Sequence, residues 1–337
     1  MRAPASQSQV QSGGAAASRP SSLVLALGLV GVLAVWSLNY IAGKITLGHL
    51  GALTIVAFRF QISAAVLLAL YFARRDRTPL RRSDLWTFVY VGFFGYAVNQ
   101  GCFVVGLGHT TSERSVVIIA MGPIVILLLA SVLRLEKLTP GKALGMAISF
   151  LGVVLLETEH GSPAHSPFLV GDLVTLTGTL GFATYTVLGK RVAAAYDTIS
   201  MNTFNAVVAA TLFLPLAVRQ GARLDWKSVG WAGWTGLLYM AVMSGVAGFL
   251  LFYWLLRHMD ASRVVVVNYF EPVIVFLLSI PMLGEHPNGR LLLSAALVLL
   301  GVYLAEHVSK RIPDFRRNGS APGVAGEIRS PRDRGLQ

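Results

Sequence analysis

The sequence predicts an all-α integral membrane protein of ten transmembrane helices, arranged as two inverted five-helix repeats. Three observations predict it: scarce charge of one dominant sign, ten apolar runs of membrane-crossing length, and self-similarity at a fixed offset. Of the 337 residues, 54% are apolar and 13% charged, whereas an ordinary soluble chain is about 25% charged. Mean hydropathy is +0.64. The net charge of +12, from 28 Lys and Arg against 16 Asp and Glu, would suggest nucleic acid as a partner on an ordinary surface. Here the ordinary surface charge is missing, so no nucleic-acid partner is expected.

Residues 1–22 form a low-complexity polar tail, expected to be disordered and cytoplasmic. The apolar runs follow at roughly 23–42, 50–73, 85–108, 113–133, 140–156, 168–189, 200–218, 229–256, 262–283 and 287–306. Each is near the ~20 residues that a helix needs to cross a ~30 Å hydrocarbon core. No cleavable leader pattern precedes the first run, which is therefore expected to stay as a helix. The second carries Arg59 and stops at the basic segment holding Arg74, Arg75 and Arg77; the third opens near Trp86. The fourth contains Pro123, and Thr139-Pro140 precedes the fifth as a capping pair. The sixth stops at Lys190-Arg191, the seventh at Arg219, and Trp231 and Trp254 lie near the ends of the eighth. The ninth carries Glu271-Pro272, and Asn288 precedes the tenth. Residues 309–337, rich in Arg, Gly and Pro, read as a second disordered, basic tail.

Positive charge sets the expected orientation. With the amino terminus inside, 21 of the 28 basic residues fall in cytoplasmic segments and 6 in outer ones, with Arg59 inside a span. Both termini are therefore expected in the cytoplasm, with the chain in the inner (plasma) membrane and lipid around it.

Sliding the chain by 149 positions lays residues 113–157 on 262–306 without a gap, matching Arg114 with Arg263, Pro123 with Pro272, Glu136 with Glu285, Gly152 with Gly301 and Glu157 with Glu306. A shift of 146 sets Gly43-Lys44 on Gly189-Lys190 and Phe58 on Phe204. The repeats are expected at 23–157 and 168–308. Five helices per repeat is an odd number, so the second repeat inserts upside down, as in carriers with alternating access.

Several short motifs in this order resemble one known family: Trp36-Ser37-Leu38-Asn39-Tyr40 with Lys44, Phe58-Arg59-Phe60, Pro123 through Leu135-Glu136-Lys137-Leu138, and Asp260-Ala261-Ser262-Arg263 through Glu271-Pro272 to Leu283-Gly284-Glu285. Over roughly residues 22–308 the chain resembles the EamA-type transporters of the drug/metabolite transporter superfamily. The resemblance implies a ten-helix fold with inverted repeats, and export or exchange of amino acids, other small metabolites or drugs across a bacterial inner membrane. One departure is Thr110-Thr111-Ser112-Glu113-Arg114-Ser115, a Glu-Arg pair where the family more often has small residues.

A charge at the bilayer centre costs ~2.5–3.5 kcal/mol on insertion scales, which makes Arg59 and Glu271 the leading substrate or proton-coupling residues. Each lies about nine residues, or ~14 Å, from a span end. Glu271 can serve as a protonatable or substrate-facing carboxylate and Arg59 as the holder of a substrate carboxylate; alternatively the two form a buried structural ion pair. At the repeat register Arg59 falls on Asn205 and Glu271 on Gly122, so neither charge has a charged mate. Pro123 and Pro272 are expected to break their helices and free the carbonyls of Ile119 and Asn268. Asn39, Tyr96, Asn99, Gln100, Asn205, Tyr239, Asn268 and Tyr269 are candidates for a cavity wall or for interhelical hydrogen bonds. Glu136 and Glu285 read as carboxylates at the starts of helices five and ten.

Neither a cofactor nor a metal is implied: Cys102 is the single cysteine, and His49, His109, His160, His165 and His286 are scattered over separate loops. No phosphate-binding Gly-x-x-x-x-Gly-Lys-Ser/Thr loop is present, so an ion or substrate gradient would drive transport, with protons a candidate coupling ion. The leading expectation is a secondary transporter of a small-molecule substrate and not an enzyme. A membrane enzyme acting on lipid-linked substrates would call for clustered carboxylates or a His beside an acid, and a non-transporting sensor or assembly partner would not need a two-fold cavity.

Overall fold

The computed structural model describes residues 20–135, 138–158, 166–188, 195–259, 264 and 266–311. Within them the chain forms ten helices: α1 (Ser22–Leu47), α2 (Ala52–Ala73), α3 (Arg82–Leu107), α4 (Ser112–Val132), α5 (Pro140–Glu157), α6 (Leu169–Leu188), α7 (Thr198–Arg223), α8 (230–258), α9 (Val266–Leu283) and α10 (Gly289–Arg311). Eight are long and apolar enough to cross a membrane. The others are α9, whose apolar stretch is Tyr269–Leu283, and α6. Asp172 and five threonines make α6 more polar, but each Thr hydroxyl donates to its own helix: Thr175 to Gly171, Thr177 to Leu173, Thr179 to Thr175, Thr184 to Leu180 and Thr186 to Phe182, at 2.8–3.1 Å. No donor is left for hydrocarbon to reject.

Helix ends follow capping chemistry. Ser21, Thr111 and Thr139 accept from the backbone N–H three residues on, and Pro140 occupies the first turn of α5, where no N–H is needed. Asn288 Oδ1 accepts from Leu291 N at 2.8 Å and starts α10. Gly284, with φ +67°, ends α9 in the left-handed conformation that suits glycine and turns the chain back on itself.

The packing has two-fold symmetry. α2 lies against α7 and α5 against α10, each helix meeting its own counterpart from the other repeat. The pairing of α3 with α6 is mirrored by α8 with α1, and that of α4 with α6 by α9 with α1. The pairs are stitched by side chains reaching backbone carbonyls: Gln61 to Ala210 at 2.8 Å, Thr203 to Leu67 at 3.3 Å and Ser149 to Val298 at 3.3 Å. Where α5 crosses α10, a Cβ on Gly145 would fall 2.6 Å from the Gly301 oxygen, so the two backbones touch. With ten helices, the described chain starts and finishes at the same face of the bundle, here termed proximal; the opposite face is distal. Trp86 and Trp231 are largely exposed near helix ends, as interfacial tryptophans are.

The two prolines differ. Pro123 sits in the first turn of the segment Gly122–Val132, after a break at Met121 that divides α4, rather than in mid-helix. Pro272 lies inside an unbroken α9, as does Pro281. Glu285 does not start α10; its carboxylate reaches across to α4, as described below. Glu136 lies outside the described residues.

At the proximal face Asp197 caps α7, accepting from Ile199 N and Ser200 N at 3.1 Å and from Arg74 at 2.8 Å. Burial alone would raise this carboxyl, but the bonds from Ser200, Thr78 and Arg74 together hold it well below the usual carboxylate range. Its contribution is complete above the unfolded Asp value of ~3.9 and is lost as pH falls through the lower folded value. Asp197→Ala should cost about 1 kcal/mol at neutral pH, and its melting curve should converge with that of the wild type in acid. Replacing Gly301 by Leu overpacks the α5–α10 crossing and should lower stability by about 1–3 kcal/mol, read as a lower melting temperature in detergent.

Candidate functional site

α2 carries Arg59 into the interior beside two irregular turns. Phe93–Val98 of α3 and Tyr239–Gly248 of α8 are wound as π-helix, a form common at functional sites. Their first residues, Phe93 and Tyr239, stand 146 positions apart, the offset that already related the repeats. Ser63 Oγ donates to the Ala241 carbonyl and Tyr96 Oη to the Gly245 carbonyl, both at 2.8 Å. The second π-turn is thereby tied to α2 and α3. A methyl group on Gly245 would come within 3.0 Å of Ser63 Oγ and 3.9 Å of Arg59 Nε, so glycine lets the guanidinium lie against the turn.

Arg59 is 2% exposed, and neither of its terminal nitrogens has a hydrogen-bond partner. Tyr96, whose hydroxyl donates to the Gly245 carbonyl, reaches the same turn from α3. On α7, Asn205 occupies the symmetry-related position and is also deeply buried, with both side-chain ends unpartnered. Its backbone carbonyl lies 3.2 Å from where a Gly92 Cβ would stand, at the entrance to the first π-turn. Each repeat thus sets one polar residue of its second helix against the π-turn of the other. Buried polar groups are rarely left unpaired, because each omission costs ~1–3 kcal/mol.

Glu271 is 7% exposed on α9, which packs against α1, where the Tyr40 ring stands edge-on to Phe103 at 5.1 Å. Among the described residues no hydrogen bond or ion pair reaches Glu271, and Arg59 and Glu271 do not pair. Asn39 is buried with its Oδ1 unpartnered. Other candidates make interhelical bonds: Asn99 Nδ2 to the Gly178 carbonyl at 3.0 Å, Tyr239 Oη to the Val35 carbonyl at 3.0 Å and Tyr269 Oη to Glu306 at 2.7 Å. Gln100 donates to Asn99 at 2.7 Å. Asn268 lies on α9, and its side chain is outside the described part of the structure. The candidates thus divide into a bonded set, an unsatisfied set of Asn39, Arg59 and Asn205, and Glu271, which takes no hydrogen bond or ion pair among the described residues.

Sequence reasoning missed the π-turns, for which nothing in residues 93–98 or 239–248 is diagnostic. It also passed over a charged cluster at the distal face. Arg114 donates to Asp172 at 2.5 and 2.9 Å and to Glu157 at 3.1 Å, and Thr110 Oγ1 donates to Asp172 at 2.6 Å. Ser112 N and Oγ donate to Glu285 at 3.1 and 3.2 Å, Ser279 Oγ donates to Glu113 at 2.8 Å, and Lys44 donates to the Thr110 carbonyl. The duplication of Arg114 and Glu157 in the repeat was the available signal. No cluster able to hold a metal ion occurs among the described residues.

This arrangement of two inverted helical repeats around buried polar residues defines a multi-pass membrane transporter. The model of the EamA-like transporter family matches residues 23–158 and again 169–306, and the chain belongs to that family, within the drug/metabolite transporter superfamily. It is 26% identical over 275 residues to the uncharacterized transporter YyaM of Bacillus subtilis, covering 81% of this chain and 90% of that one. It is 24% identical over 285 residues to a probable amino-acid metabolite efflux pump of Salmonella typhimurium, covering 81% and 91%. It is 22% identical over 295 residues to a probable terminal-alkyne amino-acid exporter of Streptantibioticus cattleyicolor, covering 88% and 96%. A crystal structure at 22% identity shares the fold, with a TM-score of 0.58 over 86% of this chain and 99% of that one.

Arg59→Met tests whether the unpartnered guanidinium serves the fold. Replacing an unpaired buried charge by an apolar side chain of similar length should leave melting unchanged or raise it by about 1 kcal/mol; a fall of several kcal/mol would assign Arg59 a structural role.

Proposed function

We propose that this protein is a secondary transporter that exports or exchanges a small metabolite, an amino acid or similar compound or a drug, across the bacterial inner membrane by alternating access. The observation that carries the reading is the pair of buried, opposite and unpaired charges, Arg59 and Glu271, inside a two-fold arrangement of inverted repeats. A transporter whose substrate completes the hydrogen bonds of its site explains why such groups are retained unpaired. The relatives named as amino-acid exporters support the substrate class. The distribution of Lys and Arg supports a cytoplasmic proximal face.

In this reading Arg59 takes a carboxylate of the substrate through its two unpartnered nitrogens, a geometry that suits a planar two-oxygen group. Glu271 carries the coupling proton, changing charge as the site is exposed to either side. Asn39 and Asn205 supply neutral hydrogen bonds. In proteoliposomes, efflux of carboxylate-bearing solutes should depend on the pH gradient in the wild type, and Glu271→Gln should abolish that dependence. Arg59→Ala should reduce flux of anionic substrates at least tenfold more than that of neutral ones, about 1.4 kcal/mol of selectivity. Equal losses for both would remove the carboxylate-binding role, and absence of solute flux from the wild type would remove the transporter reading.

A further inference from the structure

At the distal face the end of the first repeat meets the start of the second, and among the described residues two carboxylates there converge on one guanidinium. Arg114 Nη2 donates at once to Asp172 Oδ2 at 2.5 Å and to Glu157 Oε1 at 3.1 Å. Its Nη1 is occupied by the Leu156 carbonyl at 3.1 Å, and its guanidinium lies over the Phe168 ring at 5.0 Å. Arg114 and Asp172 are 2–3% exposed and Glu157 9%. The two carboxylates accept from the same guanidinium nitrogen, yet Glu157 Oε2 is buried without a partner. Two carboxylates that face each other in a water-poor site and share one guanidinium do not both ionise readily, and a single proton gives the orphan oxygen a role.

We propose that Glu157 and Asp172 hold one proton between them, and that this proton fastens α5 of the first repeat to α6 of the second at the distal face. Among the described residues, the other charged neighbours are engaged elsewhere. Lys44 of α1 is engaged with the Thr110 carbonyl, Arg290 of α10 points Nη1 at the Thr158 carbonyl at 3.2 Å, and His109 packs its backbone on Gly171. Glu113 and Glu285 are further carboxylates, engaged with Ser279 and Ser112.

The repeat register isolates what is special here. Arg114 and Glu157 have Arg263 and Glu306 as counterparts, but Asp172 falls on Ala26. The surplus carboxylate belongs to one face only, so a proton tie built on it acts at the distal side and has no twin on the proximal side. With the proton bound the tie is complete; as pH at that face rises, the proton leaves for bulk water and two anions compete for Arg114.

Infrared difference spectra of the full-length protein in lipid nanodiscs, titrated from about pH 5 to about pH 9 around the ordinary carboxyl and histidine ranges, test the proposal without any substrate. The wild type should show a protonated-carboxyl stretch at neutral pH that shifts in D2O, and this band should be lost in Glu157→Gln and in Asp172→Asn, which leaves one carboxylate for the guanidinium. Glu271→Gln should retain it. Compared in a Glu271→Gln background, where the carboxyl assigned above to proton coupling contributes nothing, a band that survives in both of the first two variants, or is absent from the background itself, overturns the proposal. Loss in Glu157→Gln with retention in Asp172→Asn makes the proton a property of Glu157 alone and overturns the sharing. Melting gives a second readout: wild-type stability should fall as pH rises through the titration, and Glu157→Gln, which imitates the protonated group, should flatten that fall.

Discussion

Hydrocarbon offers no hydrogen bonds, and every polar atom placed in it must find its partner within the protein. The fold is one answer to that constraint. Backbone groups are satisfied along ten helices, and the threonines of α6 fold their hydroxyls onto their own turn. Helices that must touch do so through glycine, as at Gly145 and Gly301, or through a side chain reaching a carbonyl, as with Gln61 and Ala210. Against that background Arg59 and Asn205 stand out, because both terminal nitrogens of the one and both polar ends of the other are buried without partners.

Symmetry separates support from function. Features that recur at the repeat offset, such as the α2–α7 and α5–α10 contacts and the two π-turns, hold the halves together in matching ways. Features without a counterpart break the equivalence of the two faces. Arg59 opposite Asn205, Glu271 opposite Gly122 and Asp172 opposite Ala26 are each a charge in one repeat and a neutral residue in the other. At these three positions the two repeats are chemically unlike.

Much of this was legible in the sequence because the bilayer imposes a coarse and strong signal. Apolar runs of span length, scarce charge and the gapless match of residues 113–157 with 262–306 follow from length and composition alone. Burial of Arg59 and Glu271 was legible for the same reason, since few charges lay far from a span end. Partnership was not. Tyr96, Asn99, Tyr239 and Tyr269 look like cavity residues in a list of polar positions, yet each bonds to another helix or side chain through a geometry fixed by helix rotation. Glu285 sits just ahead of α10 in sequence, but the left-handed turn at Gly284 aims it at the start of α4 instead. Short apolar segments such as residues 93–98 carry no mark of π winding, because the extra residue per turn is chosen by what packs around it.

The π-turns at Phe93–Val98 and Tyr239–Gly248 also act as stores of slack. A helix with an inserted residue can return to ordinary winding only by screwing one of its ends past the other, by roughly 100° and ~1.5 Å for each residue released. Such a movement keeps nearly every backbone hydrogen bond inside the helix and therefore costs little in hydrocarbon. Tyr96 lies within one of these stores and Gly245 within the other, joined by a hydrogen bond. A release in α3 would therefore pull on α8 through that bond.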